Sequence, residues 1–176
     1  MKSRTTVAAA AALLTCVLAA ADTEASRAAL QPTGSRKSAA NFTVRDASGQ
    51  TVNLNQYRGK VLLLDFWATW CTGCKKEIPW FAAFEQKYGN QGFAVLGVSM
   101  DDDGWKVLKP FLAEHKPSYR MALGDAAMAR SFGIENLPDT FLIDRQGRIA
   151  AAYMATLVDR DNVEGNIRAL LAESRK

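Results

Sequence analysis

The sequence has few of the residues that build metal sites and disulfide frameworks. Its 176 residues include three cysteines, Cys16, Cys71 and Cys74, and one histidine, His115. A small disulfide-stapled protein needs more cysteines at wider spacing. A four-ligand structural zinc site would require this histidine together with all three cysteines. The chemistry open to so small a set centres on the closely spaced pair Cys71 and Cys74.

The chain also has little excess charge. Lys and Arg number 22 and Asp and Glu number 18, which gives a formal charge of +4. Two of the positive residues, Lys2 and Arg4, lie in a segment that we predict to be removed, which leaves 20 − 18 = +2. Nucleic-acid binding usually needs a clustered basic face, so we predict no nucleic-acid partner. The 48% of hydrophobic residues excludes a wholly disordered chain, and the length suits one domain.

Residues 1–21 have the pattern of a secretory signal peptide. A basic start precedes an uncharged run rich in Ala and Leu at residues 7–20, and small residues at 19–21 suit cleavage. The run is shorter than the ~20 apolar residues that a membrane-spanning helix needs. We therefore predict a signal peptide at 1–21 and a mature protein in the periplasm or cell envelope.

Cys16 raises the alternative of a lipid anchor, because residues 13–16 loosely resemble a lipoprotein acylation site. Such sites usually have smaller residues before the cysteine, and here the apolar run continues beyond it. These features favour loss of Cys16 with the signal. Residues 22–40 are polar and small, which predicts a flexible leader, and residues 41–176 are predicted to form the folded domain.

The folded part shows alternating strand and helix patterns. Residues 42–44 and 51–54 predict a β-hairpin around a glycine turn. Residues 61–67 and 93–98 are nearly continuous apolar runs, typical of strands buried on both faces, and the spacing between them predicts a helix over about 71–88. This strand–helix–strand order predicts a parallel strand pair.

The second half of the sequence continues the alternation. Helices are predicted at 105–115, 125–132 and 159–174, and the runs 140–143 and 149–153 flank a turn and predict an antiparallel hairpin. The predicted fold class is therefore α/β, with a central mixed β-sheet flanked by helices and an N-terminal β-hairpin.

Cys71 and Cys74 fall where a strand passes into a helix. Unpaired N–H groups and the dipole at a helix N-terminus favour a thiolate over a thiol. One helical turn separates the cysteines, so their sulfurs can form a disulfide. We predict Cys71 as the exposed nucleophile and Cys74 as the shielded resolving thiol. The alternatives are half of a zinc site and a static structural disulfide. The sequence has no second cysteine pair to complete a zinc site, and a disulfide that closes so short a loop removes less chain entropy than one that closes a long loop.

Residues 65–79 (DFWATWCTGCKKEIP) resemble the active-site segment of thioredoxin-like proteins, in particular the extracytoplasmic TlpA/ResA-like thiol–disulfide oxidoreductases. Residues 137–144 (LPDTFLID) are similar to the second signature of that family, and the resemblance covers about residues 39–172. It implies a thioredoxin-like fold with an inserted helix near Trp105. It also implies an enzyme whose redox group is the Cys71–Cys74 disulfide, with no metal and no bound cofactor.

The resemblance implies supporting roles for four residues. Pro138 should follow a cis peptide bond and face the dithiol, and Trp70 belongs to the Trp-Cys-x-x-Cys motif. Asp65 matches a buried thioredoxin aspartate that helps to deprotonate the resolving cysteine, and Glu77 matches an active-site glutamate of ResA-like proteins. The ordinary alternatives are a loop proline, a satisfied polar core residue at position 65 and a solvated charge at position 77.

Several positions depart from the family pattern or carry separate expectations. Gly73 replaces the proline of thioredoxin, and Asp139 replaces the threonine usual after the cis proline. We expect Asp139 to lie near the dithiol and raise the pKa of Cys71, unless the carboxylate points into solvent. The acidic run at residues 101–103 predicts a solvated, helix-capping turn. His115 is predicted to be structural or on the surface.

These observations predict an enzyme that exchanges electrons with disulfides of client proteins. Cys71 attacks a disulfide, and Cys74 resolves the mixed disulfide. The resemblance implies the reducing direction, as in cytochrome c maturation, with electrons from a membrane-bound thiol–disulfide donor. We expect a monomer.

Two other functions remain open from the sequence. The first is a peroxiredoxin-like thiol peroxidase, although residues 65–70 lack the proline that usually precedes a peroxidatic cysteine. The second is a non-enzymatic copper-delivery module, although such modules generally use Cys-x-x-x-Cys with a distant histidine.

Overall fold

The computed structural model describes residues 25–173, which contain a single mixed sheet of seven strands. In chain order the strands are β1 (Thr43–Asp46), β2 (Thr51–Asn53), β3 (Val61–Trp67), β4 (Phe93–Ser99), β5 (Arg120–Leu123), β6 (Asp139–Ile143) and β7 (Ile149–Tyr153). The helices are α1 (Thr72–Tyr88), α2 (Trp105–His115), α3 (Ala126–Phe132) and α4 (Arg160–Ala172). The spatial order of the strands is β2-β1-β5-β4-β3-β6-β7.

Strand β3 lies between β4 and β6 and leads to the cysteine pair. It runs parallel to β4 and antiparallel to β6, so Asp65 is paired with Gly97 on one side and Thr140 on the other. All seven residues of β3 are buried, as are all seven of β4, which agrees with their continuous apolar sequences. The predicted parallel pair, both hairpins and the mixed sheet are confirmed.

Two apolar clusters cover the two faces of the sheet. Helices α1, α2 and α4 pack on one face through residues such as Phe81, Leu108 and Ile167. Helix α3 and the N-terminal hairpin pack on the other through residues such as Phe132 and Val52. The clusters fix the position of α1 relative to β3, and the dithiol lies at the junction of these two elements.

Strand β5 was not predicted from the sequence. It has four residues, Arg120–Leu123, and a run this short carries no clear alternation. It pairs with β4 in parallel and with β1 in the antiparallel sense. Its pairing joins the N-terminal hairpin to the rest of the sheet.

Residues 25–40 pack against the domain, whereas a flexible leader was predicted over residues 22–40. Ser26 pairs in parallel with Val158, and the Gln31 N–H donates to the Ala150 carbonyl at 2.8 Å. The buried Arg36 forms ion pairs with Asp144 and Glu173. The polar composition alone predicted a linker. The partners that hold this segment are more than 100 residues away in the sequence, so no local pattern indicated that it packs.

The predicted signal peptide at residues 1–21 and Cys16 lie outside the described residues. Between residues 25 and 173, no helix is long and apolar enough to cross a membrane.

Candidate active site

The two cysteines form a disulfide at the start of α1. Cys71 is the N-cap residue of this helix, and its sulfur accepts a hydrogen bond from the Cys74 N–H at 3.2 Å. Cys71 retains 7% of its surface exposed and Cys74 retains 0%. Both residues are therefore more enclosed than the prediction of an exposed nucleophile implied, but the difference between them favours Cys71 as the attacking residue.

Pro138 lies against the Cys-x-x-Cys turn. The Leu137–Pro138 peptide bond is cis, as the resemblance implied. A Cβ atom placed on Gly73 would lie 3.8 Å from the Cδ of Pro138, which is an ordinary van der Waals distance. The structure thus brings Pro138 and the dithiol together, and the role of Pro138 in client binding stays a prediction.

Asp65 is a fully buried carboxyl group on the central strand. Its Oδ1 accepts a hydrogen bond from the Thr140 hydroxyl at 3.2 Å, and its Oδ2 has no partner among the described residues. Burial and the nearby carboxyls of Glu77 and Asp139 raise the pKa of Asp65 well above its usual value, and the Thr140 hydrogen bond only partly opposes them. Asp65 is therefore an unsatisfied core acid, not the satisfied polar residue of the ordinary alternative.

Glu77 is buried on α1, one helical turn after Cys74. Its Oε1 accepts a hydrogen bond from the Val158 N–H at 2.7 Å, and Oε2 is unpartnered within residues 25–173. Burial raises the pKa of Glu77 to about 7, against the lowering effect of the Val158 hydrogen bond. The alternative of a solvated helix charge is therefore wrong.

Asp139 is also buried, and its Oδ1 accepts a hydrogen bond from the Ala155 N–H at 2.6 Å. Burial raises its pKa, the Ala155 hydrogen bond opposes this, and the charge of Glu135 adds to the rise. The alternative in which Asp139 points into solvent is wrong. Its effect on the pKa of Cys71 stays a prediction.

Tyr119 belongs to the same buried group but was not singled out from the sequence. It is buried, and its hydroxyl has no hydrogen-bond partner in the described part of the chain. Burial and the charges of Asp65, Glu77 and Glu85 raise the pKa of Tyr119 well above its usual value. We call Asp65, Glu77, Asp139 and Tyr119 the buried acid cluster. Tyr119 directly precedes the unpredicted strand β5, so no sequence pattern placed it here.

Two exposed apolar side chains adjoin the buried groups. Trp70, which precedes Cys71, is 67% exposed, and Met154, which precedes the Ala155 that binds Asp139, is 42% exposed. They are the exposed large hydrophobic residues of the described chain. Trp70 was predicted from the motif, whereas Met154 follows a buried strand and carried no signal of its own.

The acidic turn after β4 differs from its prediction. Asp102 and Asp103 are exposed as expected, but Asp101 is buried and accepts hydrogen bonds from Thr69. The N-cap of α2 is Gly104, so none of the three aspartates is the cap residue.

The copper alternative receives no support from the described residues. No group of three His, Cys, Asp or Glu side chains within them has the arrangement of a metal site. The His115 ring stacks on Phe111 with centroids 4.0 Å apart, and its Nδ1 lies 3.1 Å from the Phe111 carbonyl oxygen. These contacts give His115 a structural place in α2, as predicted.

Comparison with known proteins gives consistent results. The AhpC/TSA family profile matches residues 36–152. The thiol–disulfide oxidoreductase ResA of Geobacillus thermodenitrificans is 30% identical over 124 residues, which cover 70% of this chain and 71% of that protein. A ResA protein of Bacillus thuringiensis subsp. konkukian is 32% identical over 114 residues, covering 64% of this chain and 65% of that protein, just under two thirds of its length.

Among solved structures, a Chlorobium tepidum protein assigned as the thiol:disulfide interchange protein DsbE superposes with a TM-score of 0.74 and 29% identity. The match covers 82% of this chain and 100% of that one. It supports the thioredoxin-like fold over nearly the whole described region. The chain belongs to the AhpC/TSA family, and within it to the thioredoxin-like thiol–disulfide oxidoreductases of the ResA type.

Proposed function

We propose that this protein reduces disulfide bonds of client proteins outside the cytoplasm. The observation that carries the proposal is the Cys71–Cys74 disulfide at the start of α1, with Cys71 as the N-cap and Cys74 fully enclosed. In the reduced protein the Cys71 thiolate attacks a client disulfide, which forms a mixed disulfide and releases one client thiolate. Cys74 then attacks the Cys71 sulfur and releases the second client thiolate. The protein is left oxidised, and two electrons from a donor dithiol reduce it again.

The buried acid cluster supplies a means of removing the Cys74 proton. Cys74 has no access to solvent, so a buried group has to accept its proton before the thiolate can attack. Glu77, whose pKa is raised by burial to about 7, follows Cys74 by one turn and keeps one oxygen unpartnered in the described structure. We assign Glu77 as the proton acceptor, with Asp65 as a second buried carboxyl that shares the proton.

The same cluster supports the reducing direction. Above pH 7, where the Glu77 carboxyl is ionised, its negative charge one helical turn after Cys74 disfavours the thiolates and hence the reduced form of the protein. A less stable reduced form gives up its electrons more readily, so the protein is the better reductant. Apocytochrome c thiols are a client type that suits this direction, and a membrane-bound dithiol protein is the corresponding donor.

The exposed apolar residues Trp70 and Met154 fit the docking of a client polypeptide. Trp70 directly precedes Cys71, Met154 directly precedes the Ala155 whose N–H binds Asp139, and both side chains remain open to solvent. Apolar side chains at such a position can pack on an extended client segment while its disulfide meets Cys71. Export rests on the predicted signal peptide at residues 1–21, and we propose that the mature protein acts as a monomer.

Reduction of insulin by the mature protein, with dithiothreitol as electron source, tests the proposal. Wild type should accelerate reduction, and Cys71→Ser should abolish the acceleration. Cys74→Ser that has been reduced and then freed of dithiothreitol should make a single attack that stalls as a mixed disulfide. Consumption of hydrogen peroxide and binding of Cu(I) are measured on the same samples. Peroxide turnover without insulin reduction would support the peroxidase alternative, and tight copper binding without reduction would support the copper-delivery alternative.

A further inference from the structure

The carboxylate of Asp101 is buried although its two neighbours in the acidic turn are exposed. Asp102 and Asp103 face solvent, and Gly104 is the N-cap of α2, so helix capping does not explain the burial of Asp101. Burying an ionised carboxylate is costly unless hydrogen bonds replace those it made to water. Its partners therefore indicate what the residue is for.

Both carboxylate oxygens of Asp101 accept hydrogen bonds from the segment that leads to the dithiol. Oδ1 accepts from the Thr69 hydroxyl at 2.6 Å, and the Thr69 N–H is shared between Oδ1 at 3.1 Å and Oδ2 at 3.0 Å. Oδ2 also accepts from the Ser99 hydroxyl at 2.7 Å. Hydrogen bonds to an ionised acceptor are about twice as strong as neutral ones. Both donors of Thr69 thus bind one carboxylate that is fixed to the end of β4.

Thr69 occupies the short connection between β3 and α1. The Met100 N–H donates to the Trp67 carbonyl at 2.8 Å, which ends the pairing of β3 with β4, and the Cys71 N–H donates to the Ala68 carbonyl at 3.1 Å. Between these two bonds, the connection turns at Thr69 and carries the exposed Trp70 on to Cys71. A shift of Thr69 would therefore move both Trp70 and the nucleophilic sulfur.

We propose that Asp101 is a positioning residue for thiol–disulfide exchange, which acts through Thr69 on the placement of Cys71 and Trp70. The inference rests on the proposed function, because placement matters only if Cys71 has to meet a client sulfur. Attack on a disulfide requires a defined approach of the two sulfurs, and a misplacement of about 1 Å can cost about 100-fold in rate. A purely structural anchor would change stability and leave the exchange step of the folded protein unaltered.

The test compares Asp101→Ala, Asp101→Asn and Thr69→Val with the matched control Asp102→Ala, whose carboxylate is exposed in the same turn. For each reduced protein the rate constant for attack on insulin disulfides is measured against pH, up to the plateau at which Cys71 is fully thiolate. The rate of Cys71 alkylation by iodoacetamide is followed in parallel. The alkylation plateau reports the intrinsic reactivity of the thiolate and needs no docked client.

Asp101→Ala should lower the plateau rate constant for insulin about ten-fold and leave the alkylation plateau within about two-fold. Thr69→Val should produce a similar loss of rate. The double variant Asp101→Ala/Thr69→Val should lose no more of the rate than Asp101→Ala alone, because the two residues act as one unit. Asp101→Asn keeps an acceptor for Thr69 and should recover most of the rate. Asp102→Ala should match wild type.

An insulin plateau unchanged in both Asp101→Ala and Thr69→Val, with only the free energy of unfolding reduced, would overturn the proposal. If Asp101→Ala does not fold, Thr69→Val and Asp101→Asn decide by the same criterion. Failure of wild type to reduce insulin would overturn the proposed function and, with it, the positioning role, whereas an active wild type with unaffected variants would overturn the positioning role alone.

Discussion

The two ends of strand β6 each carry a buried aspartate, and the two residues have opposite properties. Asp139 begins the strand beside the dithiol, where one backbone N–H binds it and burial raises its pKa. Asp144 follows the strand at the far end. Burial would raise its pKa, but backbone and side-chain hydrogen bonds from Arg148 and a side-chain bond from Arg36 outweigh that effect and lower it.

This difference indicates a structural role for the paired Asp144, whereas the raised pKa of Asp139 is typical of acids at reactive sites. The far-end group of Asp144, Arg36, Arg148 and Glu173 is paired, and it ties residues 25–40 and the end of α4 to the sheet. The buried acid cluster at the dithiol end has partly unpartnered carboxyls in the described structure and raised pKa values. Paired charges therefore lie at one end of the sheet, and buried carboxyls with raised pKa values, including Glu77 at about 7, lie at the other.

The largest expected effect on the free energy of unfolding comes from removing Asp144, which follows β6 at the end away from the dithiol. Asp144→Ala removes one of the two ion-pair partners of the buried Arg36 and the acceptor for the Gln146 and Arg148 N–H groups. We expect a loss of about 3 kcal/mol in the free energy of unfolding, because a buried charge is left with fewer partners. Urea denaturation measures the loss, and the redox potential of the dithiol should not move. Asp139→Asn is the control at the other end, and an equal loss there would remove the distinction between the two ends.

A second test uses the pH dependence of stability. The pKa of Glu77 is raised from 4.5 to about 7, so the folded protein binds the proton more tightly than the unfolded chain does. Its protonated form therefore stabilises the fold below pH 4.5, and that stability is lost as pH rises to about 7, by up to about 3 kcal/mol. Asp144 has the opposite sign: its contribution is present above pH 3.8 and is lost as pH falls through its lowered pKa.

Glu77→Gln should therefore flatten the decline in unfolding free energy between pH 4.5 and 7, and Asp144→Asn should flatten only the acid limb. Urea denaturation across this pH range measures both variants against wild type. An unchanged slope in Glu77→Gln would show that Glu77 is not a protonated buried acid.

The smallest effect is expected from tuning the dithiol end. In Asp139→Thr a buried carboxyl near the cysteines is lost, so the pKa of Cys71 should fall, by less than about one unit, and the redox potential should become less negative. Thiolate absorbance against pH and equilibration with glutathione measure the two quantities. An unchanged or higher pKa of Cys71 would show that Asp139 does not tune the dithiol.

Much of the fold followed from short-range patterns in the sequence. The buried strands β3 and β4, the helix between them and the Cys71–Cys74 pair each lie within one continuous segment whose period or spacing is visible. Strand β5 escaped prediction because four residues show no period.

The partners of the buried charges did not follow from the sequence, since those contacts are long-range. Asp144 and Arg36 are 108 positions apart, and Asp101 and Thr69 are 32 apart. Asp139 was placed near the dithiol by its position after Pro138, but nothing local indicated the ion pairs of Asp144 or distinguished Asp101 from Asp102. Only the folded chain shows which aspartates are paired, which are left with an elevated pKa and which hold the approach to the dithiol.

Capture of a client in a mixed disulfide shows which cysteine is the nucleophile and which is the resolving thiol. Reduced Cys74→Ser protein is exposed to oxidised insulin, and the adduct is digested and mapped by mass spectrometry. We expect one client chain bound through Cys71, released by dithiothreitol and absent from Cys71→Ser. Capture through Cys74 in the Cys71→Ser protein, with none through Cys71 in Cys74→Ser, would contradict the assignment of nucleophile and resolving thiol.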